Sequence, residues 1–300
     1  MSIIEDLKTE YRVGGIVQRL IFWNVGLFVI PMIVFSILSL SHVNISFLRW
    51  DVPGTADWFS LSSNPEMLLR KPWSLIGYSF LHASFTHILF NMLMLFFAGK
   101  LFLTFFTQKQ LFGVYILSAI FAGAVFILGY QTIPALVGVN AKMVGASASI
   151  MAILVATSVY APTYSVRLLL IGTVKLWHIA IAFVVLDLIY ASAENTGGHI
   201  AHLAGALFGF AYIKLLGSGT DITRSVSVVT ESVSGLFKSR KQKPFRAVHR
   251  NPVQSATKTV RTTPKSITQK QIDDILDKIS RSGYDSLTKE EKDFLFKVGK

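Results

Sequence analysis

The sequence predicts an all-α membrane protein, a six-transmembrane-helix bundle with a basic, partly disordered cytoplasmic C-terminal tail. Hydrophobic residues make up 52% of the 300-residue chain and charged residues only 15%, whereas a soluble domain carries about 25% charged residues. The apolar excess lies almost entirely before residue 217. The chain contains no cysteine, which excludes disulfides, thiolate metal sites and cysteine nucleophiles.

Six apolar segments predict the transmembrane helices, because about 20 apolar residues cross the hydrocarbon core of a bilayer. A cleaved signal peptide has a shorter apolar core and a small-residue cleavage site, so the first segment is interpreted as a retained helix. The stretch before the fifth span, "SVRLLLIGTVKLW", fits either an interfacial segment or an early helix start. The predicted spans are Leu20–Leu40, Leu75–Ala98, Gln110–Tyr130, Val144–Tyr160, Lys175–Ser192 and Ile200–Leu216.

Basic residues in the short connections predict the orientation of the chain, since Lys and Arg collect on the cytoplasmic side. With the N-terminus inside, the inner connections carry most of these residues. We therefore expect a multi-pass protein of the bacterial inner membrane with both termini in the cytoplasm. The first outer loop, Ser41–Ser74, contains three tryptophans and suits a segment at the level of the lipid headgroups.

The predicted organisation is a six-span domain over residues 1–217, a basic disordered linker over 218–270 and a short helical pair over 271–300. Ten basic residues and no acidic one lie between Lys238 and Lys270. This composition is typical of a disordered segment, and we expect it to lie near anionic lipid headgroups. Solvated, lipid-adjacent chain is favoured over nucleic-acid binding.

The last segment has the pattern of two short helices. Apolar residues at Ile272, Ile275 and Ile279 recur at helical spacing, and Gly283 is placed to end that helix. Thr288 and Glu291 then form the sequence pattern of a capping box.

Polar side chains inside predicted spans are candidates for function, because burying them in lipid costs several kcal/mol. The second span, the fourth, the fifth and the sixth each carry some of them. They are His82, His87, Asn91, Ser147, Ser149, His178, Asp187, His199 and His202.

Topology predicts that Ser147 and His202 meet. Both the fourth and the sixth span start at the outer face, and each residue lies two or three positions into its span. His202, Gly205 and Gly209 share one helix face, and such small-residue faces let another helix approach closely. The small residues around Ser147, including Gly145, offer a matching surface.

A serine beside a histidine predicts nucleophilic chemistry. A serine hydroxyl is a weak nucleophile until a base such as a neutral imidazole accepts its proton. The tetrahedral intermediate then needs donors aimed at its oxyanion. His87 and Asn91 are four residues apart on one helix face and can supply side-chain N–H groups. The backbone N–H of Ser147, at a helix start, can supply another.

Three motifs in this chain resemble those of the rhomboid intramembrane serine proteases. "GASAS" in the fourth span, "HILFN" in the second and "AHLAGALFG" in the sixth occur in the family's order. The resemblance covers residues 15–217 and extends to the number and topology of the spans.

The resemblance implies specific roles for these residues. Ser147 would be the nucleophile and His202 the general base, as a dyad with no aspartate. His87, Asn91 and the Ser147 amide would form the oxyanion hole, and the motif glycines would be structural. These are Gly145, Gly205 and Gly209.

The family also implies a substrate class, namely single-span membrane proteins cut near the outer end of their helix. Two positions depart from the family pattern. Ala148 stands where glycine is frequent, and Met151 stands where an aromatic residue often stacks on the catalytic histidine.

The remaining polar residues are given structural interpretations. Ser149 lies about 200° around the helix from Ser147 and is interpreted as a packing residue. His82 is interpreted as a hydrogen-bonding anchor of a loop. His178 and Asp187 are placed nearer the inner half, and His199 lies at the boundary. No metal or cofactor is expected, because His82 and His87 miss the i, i+4 spacing of a one-helix chelate.

Two other functions remain open at this stage. One is an inactive rhomboid-like protein that binds or routes membrane helices; such proteins usually lack the serine or the histidine. The other is a transporter or channel, for which we would expect inverted repeats and charged residues in mid-membrane.

Overall fold

A computed structural model describes residues 2–40, 58–168, 172–192, 195–237 and 264–298 of the chain. The contacts group the chain into two compact units, Met1–Ser239 and Arg240–Lys300. Of the predicted disordered segment Lys238–Lys270, residues 238–263 lie outside the described residues, and the remainder lies in a helix that begins at Pro264.

The first unit is mostly helical. Its helices are α1 (Ile3–Val13), α2 (Ile16–Leu40), α3 (Pro65–Arg70), α4 (Ser74–Gly77), α5 (Phe85–Phe102), α6 (Gln108–Thr132), α7 (Ser147–Tyr160), α8 (Leu176–Tyr190), α9 (Thr196–Gly217) and α10 (Arg224–Phe237). It also contains two short antiparallel strand pairs. They are β1 (Leu61–Ser62) with β2 (Lys142–Met143), and β3 (Ser165–Leu168) with β4 (Gly172–Lys175).

Four described helices, α2, α5, α6 and α9, are long and apolar enough to cross a membrane. Helices α7 and α8 are apolar but shorter. These six correspond in order to the six predicted spans. At 1.5 Å per residue, the 14 residues of α7 reach only about 21 Å, less than the ~30 Å hydrocarbon core. One end of α7 must therefore stop inside the membrane layer if the other reaches its surface.

Helix α7 is the centre of the first unit. Every residue from Ala148 to Ser158 is buried, and α7 packs against α5, α6, α8 and α9. A helix that is apolar all round and enclosed by other helices is typical of a buried core element. The residue at its start, Ser147, is therefore held by a rigid element.

Two glycines set the contact between α7 and α9. A side chain at Gly205 would collide with the backbone carbonyl of Ala148, and one at Gly209 with that of Ala152. The two backbones are therefore in direct contact, as a small-residue face allows. The predicted close approach of these two helices is confirmed.

The second predicted span, Leu75–Ala98, is wrong in its first part. The chain forms α4, then a 3₁₀ turn over Tyr78–Phe80, and only at Phe85 does α5 begin. Ser84 caps α5, its hydroxyl accepting a hydrogen bond from the His87 backbone N–H at 3.2 Å. His82 thus lies in a loop and not on the same helix as His87.

Several described elements are absent from the sequence prediction, among them α3 and the β1–β2 pair. Helix α1 precedes the first span, and the ambiguous stretch before the fifth span forms the β3–β4 hairpin. Helix α10 lies in the predicted linker 218–270. It packs on α6, with Lys109 donating to Glu231 at 2.8 Å.

The second unit contains α11 (Pro264–Ser282), a 3₁₀ turn over Tyr284–Ser286 and α12 (Lys289–Val298). Gly283, with φ of +78°, ends α11 as predicted. The predicted capping box is also present, because Thr288 and Glu291 exchange side-chain-to-backbone hydrogen bonds. The hydrogen bond from Lys278 lowers the pKa of Glu291. Helix α11 begins at Pro264, before the predicted start at 271.

The α7–α9 contact yields a stability prediction. Gly205→Val puts a branched side chain against the Ala148 carbonyl, and we expect a loss of about 1–3 kcal/mol from overpacking. Thermal unfolding followed by tryptophan fluorescence in detergent measures it. Gly217→Ala, at the end of the same helix with nothing within 4 Å, is the matched control. Equal melting temperatures for the two variants would contradict the proposed contact.

Candidate active site

Ser147 is the first residue of α7, and the backbone before it is shaped by a glycine. Gly145 has φ of +128°, a conformation that favours glycine, and its N–H donates to the Tyr78 carbonyl at 2.9 Å. The first N–H groups of a helix have no partner within the helix. The Ser147 N–H is therefore placed to bind an incoming oxygen atom.

His202 reaches Ser147 from the facing helix α9. Its Nε2 lies 2.7 Å from the Ser147 Oγ. Both residues are partly buried. The contact is therefore shielded from its surroundings but still accessible. The sequence predicted this proximity, and the structure contains it.

Asp187 on α8 contacts the other side of the same imidazole. Its Oδ1 lies 2.8 Å from His202 Nδ1 and 2.7 Å from His199 Nδ1. Only 8% of the Asp187 side chain is exposed. The carboxylate is thus shared between two histidines on one helix.

The sequence interpretation misplaced Asp187 in depth. It put Asp187 nearer the inner half as a structural or interfacial residue, whereas the structure brings it into contact with His202. Its own topology contained the better signal, because the fifth span runs from inside to outside and Asp187 lies in the last turn of α8. His199, assigned to the boundary, also belongs to this cluster.

His87 presents one ring nitrogen toward the serine. The Ala83 backbone N–H donates to His87 Nδ1 at 3.3 Å, so in the neutral ring the proton is on Nε2. A methyl group added at Gly145 would lie 2.9 Å from His87 Nε2 and 3.5 Å from Ser147 Oγ. Gly145 therefore leaves open the space between a donor and the hydroxyl.

Asn91 lies one turn after His87 on α5. Its amide nitrogen donates to the His87 carbonyl at 2.9 Å, which fixes the side-chain orientation and leaves the second amide hydrogen for another acceptor. Asn91 lines two cavities together with Ser147 and His202. The oxyanion donors named from the sequence therefore all border the serine.

The two cavities meet at Ser147 and differ in character. The larger, about 750 Å³, has a mixed lining that includes His87, Gly145 and Gly198. The smaller, about 250 Å³, lies among α5, α7, α8 and α9, and its walls are mainly apolar. An apolar chain and a polar reactant such as water can thus each approach the hydroxyl.

Three other predicted assignments can be compared with the structure. Ser149 is fully buried and donates to the Tyr115 carbonyl at 2.8 Å, which confirms it as a packing residue. His82 is wrong as a hydrogen-bonding anchor, because neither ring nitrogen has a partner within the described part of the chain. Its ring instead packs against His87, with centroids 5.1 Å apart. His178 is exposed at the start of α8 beside Trp177.

One group of described residues has the composition of a metal site, although none was expected. Ligand atoms of Asp187, His199 and His202 lie within 4.8 Å of one another. The same atoms are joined by hydrogen bonds in which each imidazole N–H can donate to the carboxylate. Hydrogen bonding therefore accounts for the arrangement as it stands.

Comparison with known families gives two matches. The family described as "Rhomboid domain" matches residues 69–219, which include every residue of the site. A family of unknown function, DUF6576, matches residues 263–297 in the second unit. No match was found among curated proteins.

The geometry yields a reactivity prediction. We expect a fluorophosphonate probe to label the wild-type chain in detergent, because the Ser147 hydroxyl faces a base and open space. Ser147→Ala should abolish labelling. Ser149→Ala is the matched control and should still label, since that hydroxyl is buried. Labelling that survives in Ser147→Ala would contradict the assignment.

Proposed function

The chain belongs to the rhomboid family, and from this membership and the serine site we propose that it is an intramembrane serine endopeptidase. The observation that carries the proposal is the 2.7 Å separation of Ser147 Oγ and His202 Nε2. In this reading the chain hydrolyses peptide bonds of single-span membrane proteins near the outer membrane–water boundary.

Acylation follows from the positions of these two groups. The Ser147 hydroxyl attacks the scissile carbonyl carbon, and its proton passes to His202 Nε2 as the Oγ–C bond forms. The carbonyl π electrons move onto oxygen. When the intermediate collapses, the C–N bond breaks and His202 returns the proton to the leaving amine. Water then repeats the sequence on the acyl-enzyme and releases Ser147.

The developing oxyanion has three candidate donors. They are the Ser147 backbone N–H, His87 Nε2–H and the Asn91 amide. Such donors act most strongly where water is sparse and where they are already fixed. The hydrogen bonds from Ala83 to His87 and from Asn91 to the His87 carbonyl support this role, because they hold both side chains before substrate arrives.

The cavities support a membrane-helix substrate. The mainly apolar cavity beside α5 and α8 suits side chains of a transmembrane segment. The larger cavity, with polar lining, suits water and an unwound peptide backbone. A helix must unwind to expose its carbonyls, so we expect cleavage where helix-weakening residues occur.

The arrangement in the membrane is also part of the proposal. The distribution of basic residues favours cytoplasmic termini, and six spans then place Ser147 and His202 toward the outer side of a bacterial inner membrane. We propose that the basic tail lies against anionic headgroups.

The inactive-homologue alternative is disfavoured by the site. A protein that only binds or routes membrane helices has no need of a serine hydroxyl hydrogen-bonded to an imidazole. Here that contact is present, with candidate oxyanion donors on a third helix.

The test of the proposal is cleavage of a membrane reporter in liposomes. We expect the wild type to cut a single-span peptide bearing a donor–quencher pair and Gly and Ser near its outer end. Ser147→Ala should lower the rate at least about 10³-fold, and Ser149→Ala should leave it within a few-fold. Cleavage by Ser147→Ala at the wild-type rate would refute the proposal.

The oxyanion assignment has its own prediction. Asn91→Ala and His87→Ala should each lower kcat by about 10² to 10³ with a smaller effect on KM, because the donors act in the transition state. Asn24→Ala is the control. It removes a buried amide that bonds Leu20 and Tyr115 away from both cavities, and kcat per folded molecule should stay near wild type. Unchanged kcat in both site variants would contradict the assignment.

A further inference from the structure

We propose that Asp187 is a positioning residue for His202, so that the site operates as a serine–histidine–aspartate triad in which His199 holds the carboxylate. This inference rests on the proposed function, because it assigns a role within the same reaction. Three hydrogen bonds carry it, from Ser147 to His202, from His202 to Asp187 and from His199 to Asp187.

The first step of the argument concerns the tautomer of His202. A neutral imidazole has one N–H donor and one bare acceptor nitrogen. To accept the Ser147 proton, Nε2 must be bare, so the proton must sit on Nδ1. An ionised carboxylate can only accept hydrogen bonds. Asp187 Oδ1, 2.8 Å from Nδ1, therefore selects the one tautomer that can act as the base.

The second step concerns charge during the reaction. When His202 takes the Ser147 proton it becomes an imidazolium in a largely apolar environment, where an unpaired cation is costly. The Asp187 carboxylate beside it compensates that charge. Asp187 stays ionised throughout and gains no proton, while the proton that moves goes from Ser147 Oγ to His202 Nε2 and then to the leaving amine.

The third step concerns what holds Asp187. A buried carboxylate needs donors, and His199 supplies one at 2.7 Å from the same oxygen that His202 contacts. His199 and His202 are three residues apart on α9 and thus neighbours on one face. The Tyr190 ring stacks on His199 with centroids 6.3 Å apart. The hydrogen bond from His199 thus holds the Asp187 carboxylate in place beside His202.

The Asp187 contact also helps to orient His202, whose ring has an edge contact with the His199 ring, with centroids 6.0 Å apart. The residue one turn after Ser147 is Met151, a flexible aliphatic side chain that lines the smaller cavity and cannot stack as a ring does. Hydrogen bonds at both ring nitrogens fix the plane of the imidazole instead.

A bound metal ion would demand the opposite state of His202. Coordination through Nδ1 uses that nitrogen's lone pair, so the neutral ring would carry its proton on Nε2. His202 could then not accept the proton of Ser147. A metal on Asp187, His199 and His202 is therefore incompatible with His202 as the proposed base. The effect of a metal chelator on activity is thus a second readout of the experiment.

The experiment compares Asp187→Asn, Asp187→Glu and His199→Phe with wild type, using the liposome reporter and the fluorophosphonate probe. We expect Asp187→Asn to lower kcat by about 10² to 10⁴ with KM within about twofold, because substrate contacts are unchanged. The initial rate of probe labelling should fall in parallel. Asp187→Glu restores a carboxylate, and its kcat should be at least about tenfold higher than that of Asp187→Asn.

His199→Phe should lower kcat less than Asp187→Asn, by about tenfold, because it removes only one of the two donors to the carboxylate. Asp221→Asn is the matched control. It neutralises a carboxylate in the same unit that binds Gln110 and Thr223 away from the site, and kcat per folded molecule should not change. Activity should also be unaffected by EDTA.

The outcomes separate the two proposals. If the wild type shows no cleavage and no Ser147-dependent labelling, the proposed function fails. If the wild type is active and Asp187→Asn keeps its kcat, or loses activity only through KM or folded fraction, the role of Asp187 is refuted and the function stands. Activity that requires added Zn²⁺ after EDTA would equally refute it.

Discussion

The backbone contact between α7 and α9 is the constraint on which the rest of the site depends. Because Gly205 and Gly209 carry no side chain, the carbonyls of Ala148 and Ala152 can lie directly against α9. Ser147 precedes Ala148, and His202 precedes Gly205 by one helical turn. A hydroxyl and an imidazole that are 55 residues apart in the chain are thereby brought to hydrogen-bonding distance. Larger residues at Gly205 and Gly209 would push the two helices apart and would separate the Ser147 and His202 side chains.

The membrane environment explains why the polar residues form a network. Among membrane helices, where water is sparse, an isolated carboxylate or imidazole is costly, and the cost falls when donors and acceptors satisfy one another. Asp187, His199, His202 and Ser147 satisfy one another through three hydrogen bonds from three helices. The same bonds that reduce the cost of burial fix the ring, the tautomer and the hydroxyl. The contacts that reduce the cost of burial are therefore the same contacts on which the proposed chemistry depends.

The short central helix gives the site its position. Helix α7 is too short to cross the hydrocarbon core, and its first turn faces a cavity of about 750 Å³. A polar reactant can reach the serine there, while a mainly apolar cavity approaches it from among the helices. The glycine at position 145 keeps the space above the hydroxyl open and lets the chain enter the helix sharply. The recessed position of Ser147 thus follows from the short length of α7 and from the positive φ of Gly145.

The sequence by itself determined the helical membrane class and the order of the apolar helices. It also identified the candidate site residues, which are Ser147, His202, His87 and Asn91. These features could be found because hydropathy, helical spacing and small-residue faces are local patterns. The structure decided where α5 begins, since the Ser84 cap outweighs an apolar run. It also decided the partner of His202. Asp187 and His202 lie on helices whose relative rotation follows from packing, and no spacing along the chain encodes which faces of α8 and α9 meet.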